Sequence, residues 1–398
     1  MLSKLLEAVK PSSTLAITQR AADFRRRGID VIGLSQGEPD FPTPFHIREG
    51  AKRAIDAGMT RYTDVDGTLA LKEAITRKFW RDNDLAYDVS EISVGTGGKQ
   101  VIFNALLASV DPGDEVIIPA PYWVSYPDMV RLVGAVPVEV KCSEAQGFKI
   151  LPEQLQEAIT PRTKWLILNS PGNPTGSGYS RDELRALGQE LLKHPHVLVM
   201  TDDIYEHIRY DGWQFSTIAS VVPELRERVL TINGMSKAYA MTGWRIGYAG
   251  GPRPLIEAMA TIQGQSTSNP CSVAQAAANV ALDSPMDFIV ERNRAFETRR
   301  DATLARLNAI DGLSCRKPEG AFYLFPSCEG LIGKATPDGK VVKDDLDFCH
   351  FLFESAYVAV VPGVSFGFGG HFRISFSIAD ERLAQACDRI SQACGQLS

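Results

Sequence analysis

The chain has 398 residues, 44% hydrophobic and 23% charged, an ordinary globular composition and long enough to divide between two domains. Its formal net charge of -6 argues against a nucleic-acid binder, which carries a basic balance. Seven scattered cysteines show no Cys-x-x-Cys spacing, no window approaches the roughly 20 apolar residues that span a bilayer, and Met1 to Lys10 lacks a signal-peptide core, so neither a disulfide framework, a metal site nor a membrane span is expected, and a cytoplasmic location is.

In chain order, Glu91–Val94 reads as a strand running into Gly95-Thr96-Gly97-Gly98-Lys99, after which apolar residues recur at helical spacing to Val110. Free backbone N–H groups at such a strand-to-helix turn attract a phosphate, although a plain tight turn explains the glycines equally well. The spacing fits neither a P-loop nor a dinucleotide fingerprint. Val116–Pro119 is a second strand, ahead of Pro121-Tyr122-Trp123. Trp123 offers either a stacking face or a core aromatic.

Trp165–Leu168 is a third strand, followed by Asn169-Ser170-Pro171-Gly172-Asn173-Pro174-Thr175-Gly176, whose prolines set a loop that can aim Asn173. Ser180 with Glu183 is the capping-box pattern for a helix over Arg181–Leu192. Val197–Met200 is a fourth strand, leading into Thr201-Asp202-Asp203-Ile204-Tyr205-Glu206-His207. There Asp202 is either a helix N-cap or a carboxylate for a ring nitrogen.

Val229–Ile232 and Ile246–Ala249 are further strands, and between them lies Ser236-Lys237-Ala238-Tyr239-Ala240-Met241-Thr242-Gly243-Trp244-Arg245. Small neighbours let a bulky ligand reach the backbone, with Ile232 and Trp244 as apolar walls. A lysine that bonds an aldehyde and an arginine that forks a phosphate are what pyridoxal phosphate requires.

Strand-helix-strand order implies a mostly parallel sheet, with ligands at the carboxyl ends of its strands. A helix over 284–308, in two pieces, leads to a smaller domain with strands at Ala321–Phe325, Val358–Val361 and Phe372–Ser377. Arg373 in that last strand is either a buried ion-pair partner or a fork for a substrate carboxylate.

These motifs, in this order, resemble the class I pyridoxal-phosphate-dependent aminotransferases of fold type I, most closely the bacterial aspartate aminotransferase branch. The resemblance runs from Lys10-Pro11-Ser12 through Gly37-Glu38-Pro39-Asp40-Phe41, Gly97-Gly98-Lys99-Gln100, Pro121-Tyr122-Trp123, Asn173-Pro174-Thr175-Gly176, the lysine segment and Gly320-Ala321-Phe322-Tyr323 to Arg373. It implies an α/β fold with residues 45–290 as the large cofactor domain, 291–398 as the small domain, and 1–44 joining the small one.

By resemblance, Lys237 is the Schiff-base lysine, Asp202 the ring-nitrogen partner, Tyr205 and Asn173 the ring-oxygen donors, and Trp123 the stacking ring. Arg245 and the amides of Gly98 and Lys99 form the phosphate cradle, Gly97 and Ser236 also bind the cofactor, and Tyr62 reaches the phosphate of a neighbouring subunit, which implies a homodimer with shared sites. Gly37 and Arg373 receive the substrate α-carboxylate, and Trp123 and Asn173 also bind the substrate. Lys99 and the segment Lys10 to Thr14 read a distal carboxylate. The implied reaction is ping-pong transamination between an amino acid, aspartate first, and 2-oxoglutarate; prephenate or aromatic substrates are the runner-up. A pyridoxal-dependent lyase or synthase, and a non-catalytic regulator, are the readings from other classes. Asp64–Lys72 and Gln265–Cys271 depart from the family pattern, and Asp66 would add negative charge near the entrance.

Overall fold

A computed structural model describes residues 6, 7, 9 and 13–398. A first short strand, β1 (Ile32–Gly33), precedes the strands of the main sheet: β2 (Ile92–Gly95), β3 (Glu115–Ala120), β4 (Val136–Lys141), β5 (Thr163–Asn169), β6 (Leu198–Asp202), β7 (Val229–Gly234) and β8 (Gly247–Gly250). Their order is β2-β8-β7-β6-β5-β3-β4. Only β8 runs antiparallel to its neighbours β2 and β7.

Side chains alternate across the sheet, as strand geometry requires. Along β5, Leu166 and Leu168 enter one core cluster with Phe79, Val199 and Leu187, while Trp165 and Ile167 enter a second with Ile102, Val116, Met200 and Met259. Both faces are covered, which is why these strands read as nearly continuous apolar runs. The edge strand β4 is half exposed and carries Pro137, so it lacked that run and was absent from the sequence expectation.

The helix Arg181–Leu192 begins as its sequence requires: Ser180 Oγ accepts from Glu183 N–H at 3.3 Å and Glu183 Oε2 accepts from Ser180 N–H at 2.7 Å. The expected two-piece helix over 284–308 is one helix, Asp287–Asn308. Ser284 lies before it, at the end of the preceding helix Ser272–Asp283.

Four short strands complete the fold: β9 (Tyr323–Leu324), β10 (Val358–Ala359), β11 (Val361–Pro362) and β12 (Phe372–Ser375). β12 lies between β11 and β9, antiparallel to both. β1 pairs with β10 in parallel, setting Ile32 opposite Val358. Ile32 and Leu34 thereby join a third core with Phe322, Leu352, Ile374 and Ile390.

Candidate active site

The loops after β2, β3, β5, β6 and β7 open on one edge of the main sheet. Because β8 is antiparallel to β7, the loop that leaves β7 at this edge also enters β8 there, and Arg245 stands just ahead of β8. A cavity of about 290 Å³ lies at this edge, lined by residues that include Gly37, Gly98, Lys99, Trp123, Asn173, Asp202, Tyr205, Ser236, Lys237, Arg245 and Arg373. Its apolar walls are Ile102 and Ile204. Ile232 and Trp244, expected in that role, serve elsewhere: Ile232 is in the core, and Trp244 donates its indole N–H to Thr43.

Asp202 ends β6 and is 7% exposed. Its Oδ2 accepts from Tyr126 Oη at 2.7 Å; its Oδ1 is buried with no partner among the described residues. Burial raises its pKa, opposed by Tyr126, the Ile204 N–H and Lys237. Asn169 ties two loops together, donating to Asp202 O at 2.7 Å and accepting from Asn173 N–H at 2.8 Å. A buried carboxylate oxygen left unpaired is costly unless a donor arrives, and a protonated ring nitrogen is such a donor.

Lys237 follows β7, and its Nζ donates to Gly37 O at 2.5 Å. Burial, reinforced by the charge of Arg373, brings its pKa down to about 8, against the opposing pull of Glu38 and Asp202. An amine so placed is unprotonated for a useful fraction of time near neutrality, as a nucleophile requires.

Arg245 adopts left-handed backbone geometry, φ 56°, and donates to Thr242 O at 2.8 Å. Its guanidinium packs on Gly97, where φ is 83° and a Cβ would collide with it. Gly97 therefore shapes the turn from beneath Arg245 rather than lining the cavity. Gly98 opens the helix Gly98–Ser109, with Gly247 packed against its backbone so closely that a Cβ there would clash. Lys99 Nζ stands 4.8 Å from the centre of a Trp123 ring, and Trp123 meets Tyr126 edge to face at 5.3 Å. Burial and nearby Arg245 lower the Lys99 pKa.

Arg373 is 2% exposed. It donates to Asn173 Oδ1 at 2.9 Å and to Ser35 O, with its Nε unpartnered. Among the described residues, none of Lys99, Lys237, Arg245 and Arg373 forms an ion pair with a carboxylate. Four cations around one cavity define a site for a polyanionic ligand set. A phosphate and carboxylates meet that demand.

Tyr62 is 91% exposed, on a separate apolar hollow with Arg53, Met59 and Ala276. It does not reach this chain's own cavity. Lys10, Pro11 and Ser12 lie outside the described residues, as does the side chain of Thr14.

Two features escaped the sequence reading. Tyr126, given no role there, holds Asp202. Behind the Asp202–His207 turn, Lys78 pairs with buried Glu206, which also accepts from Asn83 at 2.6 Å and Asn233 at 2.8 Å. Asp82, Glu206 and His207 bring ligand-type atoms within 4.8 Å of one another, but the Lys78 ammonium already occupies Glu206.

Comparison with known proteins agrees with this geometry. Residues 29–390 match the family described as aminotransferase class I and II. An aspartate/prephenate aminotransferase of Cereibacter sphaeroides is 55% identical, covering 100% of this chain and 99% of its own. The crystal structure of an aspartate aminotransferase from Rhizobium meliloti superposes with a TM-score of 0.98 at 54% identity, covering 100% of both chains. An aspartate aminotransferase from Thermus thermophilus, solved with maleate, superposes at 0.93 and 42% identity, over 99% of each chain. With its mostly parallel sheet and cation-lined cavity, the chain belongs to the class I and II aminotransferases, on the bacterial aspartate aminotransferase branch of fold type I, and is an aminotransferase.

Proposed function

We propose that the cavity holds pyridoxal 5'-phosphate on Lys237 and moves an amino group from a dicarboxylic amino acid, aspartate first, to a 2-oxo acid, most simply 2-oxoglutarate. The observation that carries this reading is the unpartnered Oδ1 of Asp202 in the same cavity as Lys237. The cofactor, when bound, supplies an electron sink for the charge that develops at the substrate α-carbon.

Every other part of the work falls to side chains. Asp202 keeps a proton on the ring nitrogen, and Tyr126 holds Asp202 in place. Tyr205 and Asn173 are assigned to the ring oxygen. Arg245, Ser236 and the Gly98 and Lys99 N–H groups are assigned to the phosphate at a helix N-terminus; the Gly97 turn shapes that cradle. Trp123 supplies an aromatic face. Arg373 takes the α-carboxylate in a fork geometry, beside Gly37 and Asn173. Lys237 Nζ, once released, would remove the α-proton and deliver it to the former aldehyde carbon of the cofactor, for which a pKa of about 8 is well matched. Lys99 is assigned to the distal carboxylate.

The exposure of Tyr62 supports its assignment to the phosphate of a second subunit, in a homodimer with shared sites. The core formed by Ile32, Leu34 and the C-terminal strands supports a division at residues 44 and 290, with 1–44 joining 291–398. A cytoplasmic enzyme is the matching location.

Prephenate is the second substrate reading, favoured by the name of the 55% identical relative; it too carries two carboxylates. A panel of single half-reactions, monitored through the absorbance of the bound cofactor, separates the two. Fast conversion by aspartate and glutamate without a second substrate is expected. Slow conversion by aspartate against fast conversion by an aromatic partner would overturn the aspartate assignment.

A further inference from the structure

Tyr323 lines the cavity beside Lys237, yet none of the assignments above uses it. It sits on β9, opposite Ser375 of β12, fully buried. Its Oη lies 2.8 Å from Tyr205 Oη. The two rings meet edge to face, with centroids 5.8 Å apart. The Arg373 guanidinium lies over the Tyr323 ring at 4.7 Å. On the far side, its Oη would stand 2.5 Å from a Cβ at position 37, so Gly37 is what leaves the hydroxyl room.

A neutral phenol has one hydrogen to donate. Burial raises the pKa of both tyrosines, so both are neutral hydroxyls in the working range. If Tyr205 directs its hydrogen at the ring oxygen, it has none left for Tyr323, and the 2.8 Å contact must run the other way. The guanidinium over the Tyr323 ring points in the same direction, since a cation on the ring face draws electron density from the oxygen and makes it a better donor than acceptor.

We infer that Tyr323 is a positioning residue that donates to Tyr205 Oη and so strengthens the hydrogen bond Tyr205 sends to the cofactor ring oxygen; this rests on the cofactor reading above. Chains of hydrogen bonds polarise one another, each link adding roughly 10–30% to the next. Applied to a charge-assisted bond, that corresponds to a shift of about 0.1 to 0.6 pH unit in a linked titration. The bond to the ring oxygen stabilises its negative charge, so weakening it raises the pH at which the lysine-bound cofactor loses its proton.

The experiment is a pH titration of visible absorbance in the cofactor-loaded wild type, Tyr323→Phe, Tyr205→Phe and the double variant. Phenylalanine keeps the ring under Arg373 and removes only the hydroxyl. Tyr205→Phe is expected to raise the midpoint most, Tyr323→Phe to raise it by about 0.1 to 0.6 unit, and the double variant to match Tyr205→Phe alone. A midpoint moved by Tyr205→Phe but not by Tyr323→Phe, or additive shifts in the double variant, overturns the relay and leaves the cofactor reading standing. A midpoint moved by neither overturns both.

Discussion

The turn Asp202–His207 has two sides that treat buried charge in opposite ways. Towards the cavity, and among the described residues, Asp202 Oδ1 and Arg373 Nε are buried without partners, and the one hydrogen bond of Lys237 Nζ goes to the Gly37 carbonyl. Behind it, Glu206 is held by Lys78, Asn83 and Asn233, so its buried oxygens are paired within the chain. Unpaired buried groups are expensive to maintain, whereas a hydrogen-bonded network can rigidify what it supports. Unsatisfied groups around the cavity therefore mark where ligands complete the structure, and the network on Glu206 holds the turn that presents them, although Asp203 Oδ2, buried behind the turn, is also without a partner among the described residues.

The strongest way to break this contrast is to remove one residue from each side. Lys237→Ala is expected to lower kcat by at least about 10³-fold, since it deletes both the covalent anchor and the proton carrier. The cofactor-free variant should unfold no more easily than wild type, because no carboxylate loses a partner. Steady-state kinetics and urea unfolding check the two halves; a variant that kept a tenth of wild-type turnover would end the assignment of Lys237.

Lys78→Met should do the reverse. It leaves Glu206 buried without its cation, which costs about 3–5 kcal/mol of stability, while residual folded enzyme keeps its substrate preference. Burial pushes the Glu206 pKa up, but Lys78 and His207 together outweigh it and hold it well below the ordinary value of 4.5. In wild type that stabilisation is present above pH 4.5 and is lost as pH falls below it. Denaturant midpoints at pH 7 and pH 4 test this: a Lys78→Met midpoint equal to that of wild type at pH 7 would show that the pair does not hold the turn.

The two sides were unequally legible in the sequence. Asp202, Asn173, Gly98 and Lys237 each lie within five residues after an apolar run, so strand ends located them, and the capping box at Ser180 located a helix start to the residue. The satisfied side left no such trace. Lys78 lies on the helix Leu69–Asn83 among other charged residues, where a lysine reads as solvated, and its partner lies in a turn 128 positions on. The bond from Tyr126 to Asp202 joins residues 76 positions apart, and that between Tyr205 and Tyr323, 118 positions apart within one core, runs through hydroxyls that periodicity does not register. Residues 284–308 were read as a helix in two pieces because the charged residues of Asp287–Asn308, with Arg292 and Arg300 buried, blur the apolar stripe.

The smallest expected effect is one of pH on the cavity side: stability again rises with pH, but here because the fold disfavours the charged form, where around Glu206 it favours it. Lys237 has a pKa of about 8 in the folded chain against an ordinary 10.5, chiefly because of burial and then the charge of Arg373. Below pH 8 the folded and unfolded chains both carry the proton, and the cost of burying the ammonium stands in full. Between pH 8 and 10.5 the folded lysine is neutral while the unfolded one remains charged, so wild type gains stability as pH rises. A Lys237→Met variant has no such group and no such slope. Without screening, the difference would approach about 3 kcal/mol; with the amine facing an open cavity, on the order of 1 kcal/mol is expected. Unfolding of both cofactor-free proteins at pH 7 and pH 9.5 measures it: Lys237→Met should be the more stable at pH 7, with the gap narrowing at pH 9.5. A gap that widened instead would mean that Lys237 is held as a paired ammonium, and the cavity side would then treat its charge as the Glu206 side does.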